Sequence, residues 1–250
     1  MTNKLKYFIG NWKMFGSHDS LSILRKLHKF YIKSKKNNKI VVCVPNTLID
    51  FFHKKFNSRF IHIGAQDCYH KPNFGPFTGS VSAAMLKNVG ARYVIIGHSE
   101  RRREGDTNKI IKQKIESAIS KNLNVIFCIG ESYQQKKSNK TFLALRNQIK
   151  SSINKKINLN KIIIAYEPIW SIGTGKIPTS DDLKKIFKFI KSEFKNIVKT
   201  NKNPIVLYGG SVKSVNIRVF SSIYDIDGFL IGGASQSSKK FIDIIKNYYK

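Results

Sequence analysis

The sequence predicts an α/β protein of a single domain, with its strands closed into a (β/α)8 barrel. Three observations carry that expectation. Eight short apolar runs recur along the 250 residues, segments of helical periodicity lie between them, and no Pro- or Gly-rich stretch divides the chain. Runs that are apolar at every position suit parallel strands buried on both faces. An open doubly wound sheet is the rival. It calls for a Gly-rich fingerprint after the first strand, where this chain has Gly10-Asn11-Trp12-Lys13.

The runs, in order, cover residues 7–10, 40–44, 61–65, 93–96, 125–129, 162–166, 205–208 and 229–231. After the fourth, Ile111, Ile115 and Ala118 keep to one helical face. In 181–198 the residues Leu183, Ile186, Phe187, Ile190, Phe194 and Ile197 do the same, with Thr179, Ser180 and Asp181 as the helix start. Phe241, Ile244, Ile245 and Tyr248 predict a docking helix at the end of the chain. Lysine-rich polar stretches at 136–140 and 199–203 read as linkers.

Composition narrows the function classes. The chain has 45 Lys+Arg against 15 Asp+Glu, a formal charge of +30. The lysines are spread along the sequence and fall largely on the polar side of amphipathic stretches. They therefore predict a solvated basic surface rather than a specific nucleic-acid site, and a field that helps draw in anionic substrates. A polyanion binder remains the alternative from another class; it predicts lysines clustered on one face and affinity that falls steeply with salt. Cys43, Cys68 and Cys128 are far apart and form no metal-ligand pattern, as expected of reduced thiols in a cytoplasmic protein. No apolar stretch has the length of a membrane span, and residues 1–6 carry charge without the apolar core of a cleavable signal.

The groups that follow the strands point to chemistry. Asn11 and Lys13 follow the first strand, and Gly97-His98-Ser99-Glu100 the fourth. Glu167 follows the sixth, Gly209-Gly210-Ser211 the seventh and Gly232-Gly233-Ala234-Ser235 the eighth. Singly, each has a plain structural explanation: a surface lysine, a satisfied histidine, a strand-end salt bridge, a tight turn. A barrel brings all of them to one mouth, because its active-site groups sit at the C-terminal ends of strands. Ser211 and Ala234 precede segments expected to be helical, so free N–H groups there, with Gly232, Gly233 and Gly173, would cradle a phosphate. A carboxylate facing an imidazole and an ammonium suits abstraction of a proton beside a carbonyl. Glu167 is then the base, with His98 and Lys13 stabilising charge on the substrate oxygen. A short helix at 99–103 would disfavour imidazolium at His98.

The loop after Glu167 fits the same chemistry. Pro168-Ile169-Trp170 reads as a stiff first hinge and Lys176 begins the second. Between them Ser171-Ile172-Gly173-Thr174-Gly175 is small enough to fold over a phosphate. An enediolate loses phosphate readily unless water is excluded, which is what such a lid does.

At this point the motifs "GNWKM", "GAQDCY", "FTGSVSAAML", "YVIIGHSERR", "CIGES", "AYEPIWSIGTGK", "LYGGSV" and "DGFLIGGAS" together resemble the triosephosphate isomerase family over nearly the whole chain. The resemblance implies a TIM barrel that interconverts dihydroxyacetone phosphate and D-glyceraldehyde 3-phosphate in glycolysis and gluconeogenesis. It also implies a homodimer and no cofactor or metal. By motif it makes Asn11, Lys13, Gly173, Ser211, Gly232 and Gly233 substrate-binding, His98 the electrophile, Glu167 the base and Glu100 a supporting carboxylate near Lys13. It further implies that Phe77-Thr78-Gly79 reaches a partner subunit's active site. Another phosphate-binding barrel, such as a different aldose–ketose isomerase or a synthase, would share the last two glycine turns but has no use for Lys13, His98, Glu167 and the lid together. The chain departs from the family's common pattern at Phe15 (usually Asn), Ser80 (usually Glu) and Gln236 (usually apolar), and residues 103–106 look one residue short.

Overall fold

In the computed structural model, which describes residues 4–34, 36–56 and 58–250, the eight apolar runs pair in parallel and in chain order until the last meets the first. Residues 1–3, part of the segment read above for a signal, lie outside the described residues. The strands are β1 (Lys6–Asn11), β2 (Asn38–Cys43), β3 (Ile61–Ala65), β4 (Tyr93–Ile96), β5 (Asn124–Ile129), β6 (Ile162–Tyr166), β7 (Ile205–Tyr208) and β8 (Gly228–Ile231). The barrel closes with Tyr7 beside Gly228 and Gly10 beside Ile231. The α-helices are α1 (Leu21–Ser34), α2 (Asn46–Lys55), α3 (Ala83–Asn88), α4 (Ser99–Arg103), α5 (Asn108–Ser120), α6 (Tyr133–Lys137), α7 (Thr141–Ser152), α8 (Ser180–Val198) and α9 (Ser238–Tyr248). None of the described helices is long and apolar enough to cross a membrane.

Alternation along each strand divides the core in two. Tyr7, Ile9, Val41, Cys43, Ile95, Ile126, Ile163, Ala165, Leu207 and Leu230 fill the barrel. Their neighbours Phe8, Ile40, Val94, Phe127, Ile164 and Phe229 point outward under the helices. Both sides are buried, which is why the strands read as unbroken apolar runs. The same parity matters at the mouth. Glu167 continues the inward series Ile163, Ala165, and Asn11 continues Tyr7, Ile9. Two residues per step carry a polar side chain to the lip of the barrel.

The helices bury the faces their spacing predicts. Leu183, Ile186, Phe187, Ile190 and Phe194 are buried in α8, and Thr179 caps it by accepting from the Asp182 N–H at 3.1 Å. Phe241, Ile244, Ile245 and Tyr248 are buried in α9. Two expectations need correction. Lys136 and Lys137 are not linker but the end of α6, which starts with a capping box between Ser132 and Gln135. After Ser211 the chain forms only a 3-10 turn, Ile217–Phe220, and Ala234 lies inside another, Gly233–Gln236. The side chain of Asn216 explains the first of these. It accepts from the Lys213 N–H at 2.8 Å and donates to the Ser211 carbonyl at 3.0 Å, a local pattern that competes with helix.

The basic surface is also not uniformly solvated. Lys6, Lys114 and Lys191 are buried. At the N-terminal end of the barrel Lys191 meets Asp225 at 3.1 Å and Asp227 at 3.3 Å, while Lys4 meets Asp227 at 2.5 Å. Lys6 donates to the Ile226 carbonyl. Burial, and then the neighbouring Lys4 charge, pull its ammonium down to about 8. Lys114 is held between Asp67 and Asp106, each at 2.8 Å. Buried ammonium groups survive only with such partners.

Candidate active site

Asn11 ends β1 buried, and its side-chain oxygen accepts from the Lys13 N–H at 3.0 Å. That bond helps hold Lys13 at φ 58, a left-handed conformation that costs a non-glycine residue about 1 kcal/mol or more. Gln66 donates to the Lys13 carbonyl at 2.8 Å and Gln236 to the Trp12 carbonyl at 2.8 Å, while the Trp12 indole donates to the Ser235 carbonyl at 3.0 Å. Gln236 thus has a clear task here: it pins the loop that carries Lys13. The Lys13 ammonium is ion-paired with Glu100. Partial burial raises the Glu100 carboxyl, but above all the bond from Lys13 holds it below the usual glutamate range.

His98 caps α4. Its Nδ1 accepts from the Glu100 N–H at 3.3 Å, so the ring proton belongs on Nε2, the nitrogen that faces Glu167 Oε1 at 3.7 Å. Behind it Arg102 donates to the Gly97 carbonyl at 2.7 Å and to the Cys128 carbonyl at 3.2 Å, tying β4 to β5 just below the site.

Glu167 is buried, and its N–H donates to the Ile129 carbonyl at 2.7 Å. Among the described residues its Oε2 has no hydrogen-bond partner. A buried carboxylate oxygen left unpartnered is costly, and such groups ask for a functional explanation. Two glycines make room for it. A Cβ on Gly130 would stand 1.9 Å from the Glu167 carbonyl oxygen, and one on Gly209 would stand 2.6 Å from Glu167 Cγ. Burial, then the Glu167 charge and a bond to the Glu167 carboxylate, push the neighbouring Cys128 thiol well up.

The loop after Glu167 opens with a 3-10 turn, Ile169–Ser171, and has positive φ at Gly173 and Gly175. Ser171 joins its two ends. Its hydroxyl donates to the Lys176 carbonyl at 2.5 Å and is 3.0 Å from the Tyr208 hydroxyl. It also accepts from the Ser211 N–H at 3.2 Å, so that amide is covered rather than bare. Asn11, Lys13, His98, Glu167, Gly173, Ser211, Gly232 and Gly233 line one cavity of about 520 Å³. Of the lid residues 168–176, only Ile172 and Gly173 line it. The loop of Phe77, Thr78 and Gly79 belongs elsewhere: Gly79 borders a second groove of about 500 Å³ that shares Asn11, Lys13 and His98 with the first.

Several contacts around the site are not foreshadowed by the sequence. Glu131 is buried, accepting from the Tyr166 hydroxyl at 3.1 Å and from the Trp170 indole at 2.8 Å. Burial raises its carboxyl, although both bonds act against that. The available signal was its place: a charged residue two positions past an apolar run, much as Glu167 stands one position past its own. Gln66, Arg102 and Tyr208 carried no such mark, because their partners are distant in sequence.

Comparison with known proteins agrees over the full length of the fold. A family model described as triosephosphate isomerase matches residues 6–248. The triosephosphate isomerase of Mycoplasma mobile is 41% identical over 247 residues, covering 96% of this chain and 99% of that protein. That of Bartonella tribocorum is 38% identical over 242 residues, covering 95% and 94%. A crystal structure of triosephosphate isomerase from Bartonella henselae superposes with a TM-score of 0.89 at 35% identity, covering 98% of this chain and 99% of that one.

Proposed function

The chain belongs to the triosephosphate isomerase family and interconverts dihydroxyacetone phosphate and D-glyceraldehyde 3-phosphate, a step of glycolysis, and from that premise we propose how its own residues carry the reaction. Glu167 takes the carbon-bound proton beside the carbonyl. The Nε2–H of His98 and the ammonium of Lys13 meet the negative charge that develops on the oxygen of the enediolate. Glu167 then returns a proton to the adjacent carbon. The observation that carries this reading is the unpartnered, buried carboxylate oxygen of Glu167 in the same cavity as Lys13, with Oε1 3.7 Å from His98.

Each supporting group follows from charge and position. Donors placed before the charge develops stabilise it without reorganising at the moment of reaction. Glu100 holds the Lys13 head in place, and the backbone strain at Lys13 sets the direction of its stem. The N–H groups of Gly173, Ser211, Gly232 and Gly233 take the phosphate. Ser211 exchanges its bond to Ser171 for a phosphate oxygen. The lid of Pro168, Ile169, Trp170, Ser171, Ile172, Gly173, Thr174, Gly175 and Lys176 closes over the intermediate and keeps water from it, a device this enzyme family exemplifies.

The proposed steps use protein side chains without a metal or nucleotide, which gives the test. Offered D-glyceraldehyde 3-phosphate in D2O without added metal or nucleotide, the protein is expected to form ketose with deuterium at the carbon that received the proton. A carboxylic acid at Glu167 takes up deuterium in those turnovers in which solvent reaches it before the proton is returned. Complete retention of the substrate hydrogen together with an undiminished rate in Glu167→Gln would overturn the assignment of a carboxylate base.

The second groove is read as the seat of another copy, in a homodimer. Met14 and Phe15 stand exposed next to Lys13, and Phe74 stands exposed in the loop that carries Phe77, Thr78 and Gly79. Large apolar side chains in water beside an active-site groove are what a partner covers. Sedimentation at micromolar concentration is expected to give twice the 28.6 kDa chain mass. A species of single-chain mass would remove the dimer. Cytoplasmic residence and the lack of a specific nucleic-acid partner complete the proposal, with the basic surface serving to attract the substrate dianion.

A further inference from the structure

Trp170 sits at the first hinge of the lid, and two charged groups hold it. Its indole N–H donates to Glu131 Oε1 at 2.8 Å, and the Lys136 ammonium stands 3.5 Å from the centre of its ring. We propose that Lys136 is a positioning residue for the lid: it fixes the plane of Trp170 while Glu131 fixes the edge. The inference rests on the isomerase reading for its effect on turnover.

A single hydrogen bond places Nε1 but leaves the ring free to turn about the N–H···O line. A cation over the π-face removes that freedom, because attraction to the ring quadrupole is lost when the face turns away. Packing alone does not do so here. A cavity of about 300 Å³, bordered by Lys136, Phe142, Tyr166, Trp170 and Pro178, lies beside the ring and leaves it room to swing. Both holding groups come from one short rigid segment, since Ser132 and Gln135 close a capping box between Glu131 and Lys136. That segment is anchored in turn by the hydroxyl of Tyr166, the last residue of β6, which Glu167 directly follows. The hinge of the lid and the base are therefore referred to the same frame.

Lys136→Met keeps the apolar stem and deletes the charge; Lys136→Arg keeps a cation that stacks on aromatic faces. Without substrate, acrylamide is expected to quench Trp170 about twofold more efficiently in Lys136→Met, against the constant background of the buried Trp12. With triose phosphate, kcat is expected to fall about 3- to 10-fold with KM nearly unchanged, and a larger share of turnovers to end in inorganic phosphate. Lys136→Arg is expected to restore all three. Wild-type quenching, kcat and phosphate loss in Lys136→Met would overturn the proposal. So would a lowered melting temperature with those three readouts unmoved, or a fall in kcat without a change in quenching. The quenching arm needs no catalysis, so a wild-type protein that failed to isomerise would refute the isomerase reading without deciding the clamp.

Discussion

Glu167→Gln is expected to lower kcat by about three orders of magnitude or more, with the melting temperature unchanged or slightly raised. The amide matches the carboxylate in shape and cannot accept the substrate proton. The stability half of the expectation follows from the site. Glu167 is buried and its Oε2 has no partner among the described residues, so a neutral amide is easier to bury than the carboxylate it replaces. Steady-state kinetics and a thermal melt on the same preparation check both halves. A variant with near-normal kcat would remove Glu167 as the base. A large drop in melting temperature would show that its carboxylate holds the barrel together instead.

Lys13→Ala is expected to cost about 10²- to 10³-fold in kcat/KM, spread over both kcat and KM, since one preorganised donor to a developing oxyanion is worth that much. The ammonium lies in the cavity shared with His98 and Glu167 and is held there by Glu100. Its loss leaves Glu100 facing an incoming dianion with no cation between them. Backbone strain supplies a control. At φ 58 an alanine keeps the strain and a glycine relieves it, so Lys13→Gly should be the more stable of the two by about 1 kcal/mol and equally inactive. Full activity in either variant would make Lys13 one more surface lysine.

Much of this architecture is legible in local pattern. The strand runs and the faces of α8 and α9 follow from repeats of two and of three to four residues, which are properties of neighbours in sequence. The strand-end residues are visible for a related reason: a Glu, His or Lys stands out immediately after an apolar run. Where the reading failed, the deciding partner was elsewhere or the competing bond was local. Asn216 replaced the expected helix after Ser211 with a turn, and Lys114 and Lys191 were drawn inside by aspartates that periodicity does not reveal.

The sequence by itself determined the period of the elements, their order, and which polar groups end the strands, because those depend on side chains a few residues apart. Only the tertiary structure decided through which atoms the expected pairs meet, His98 with Glu167 and Lys13 with Glu100, and that Trp170 meets Glu131 and Lys136. The physical reason is closure. When β8 pairs with β1, ends of strands that are far apart along the chain are forced around one opening, and their charges then act on each other across a few ångströms.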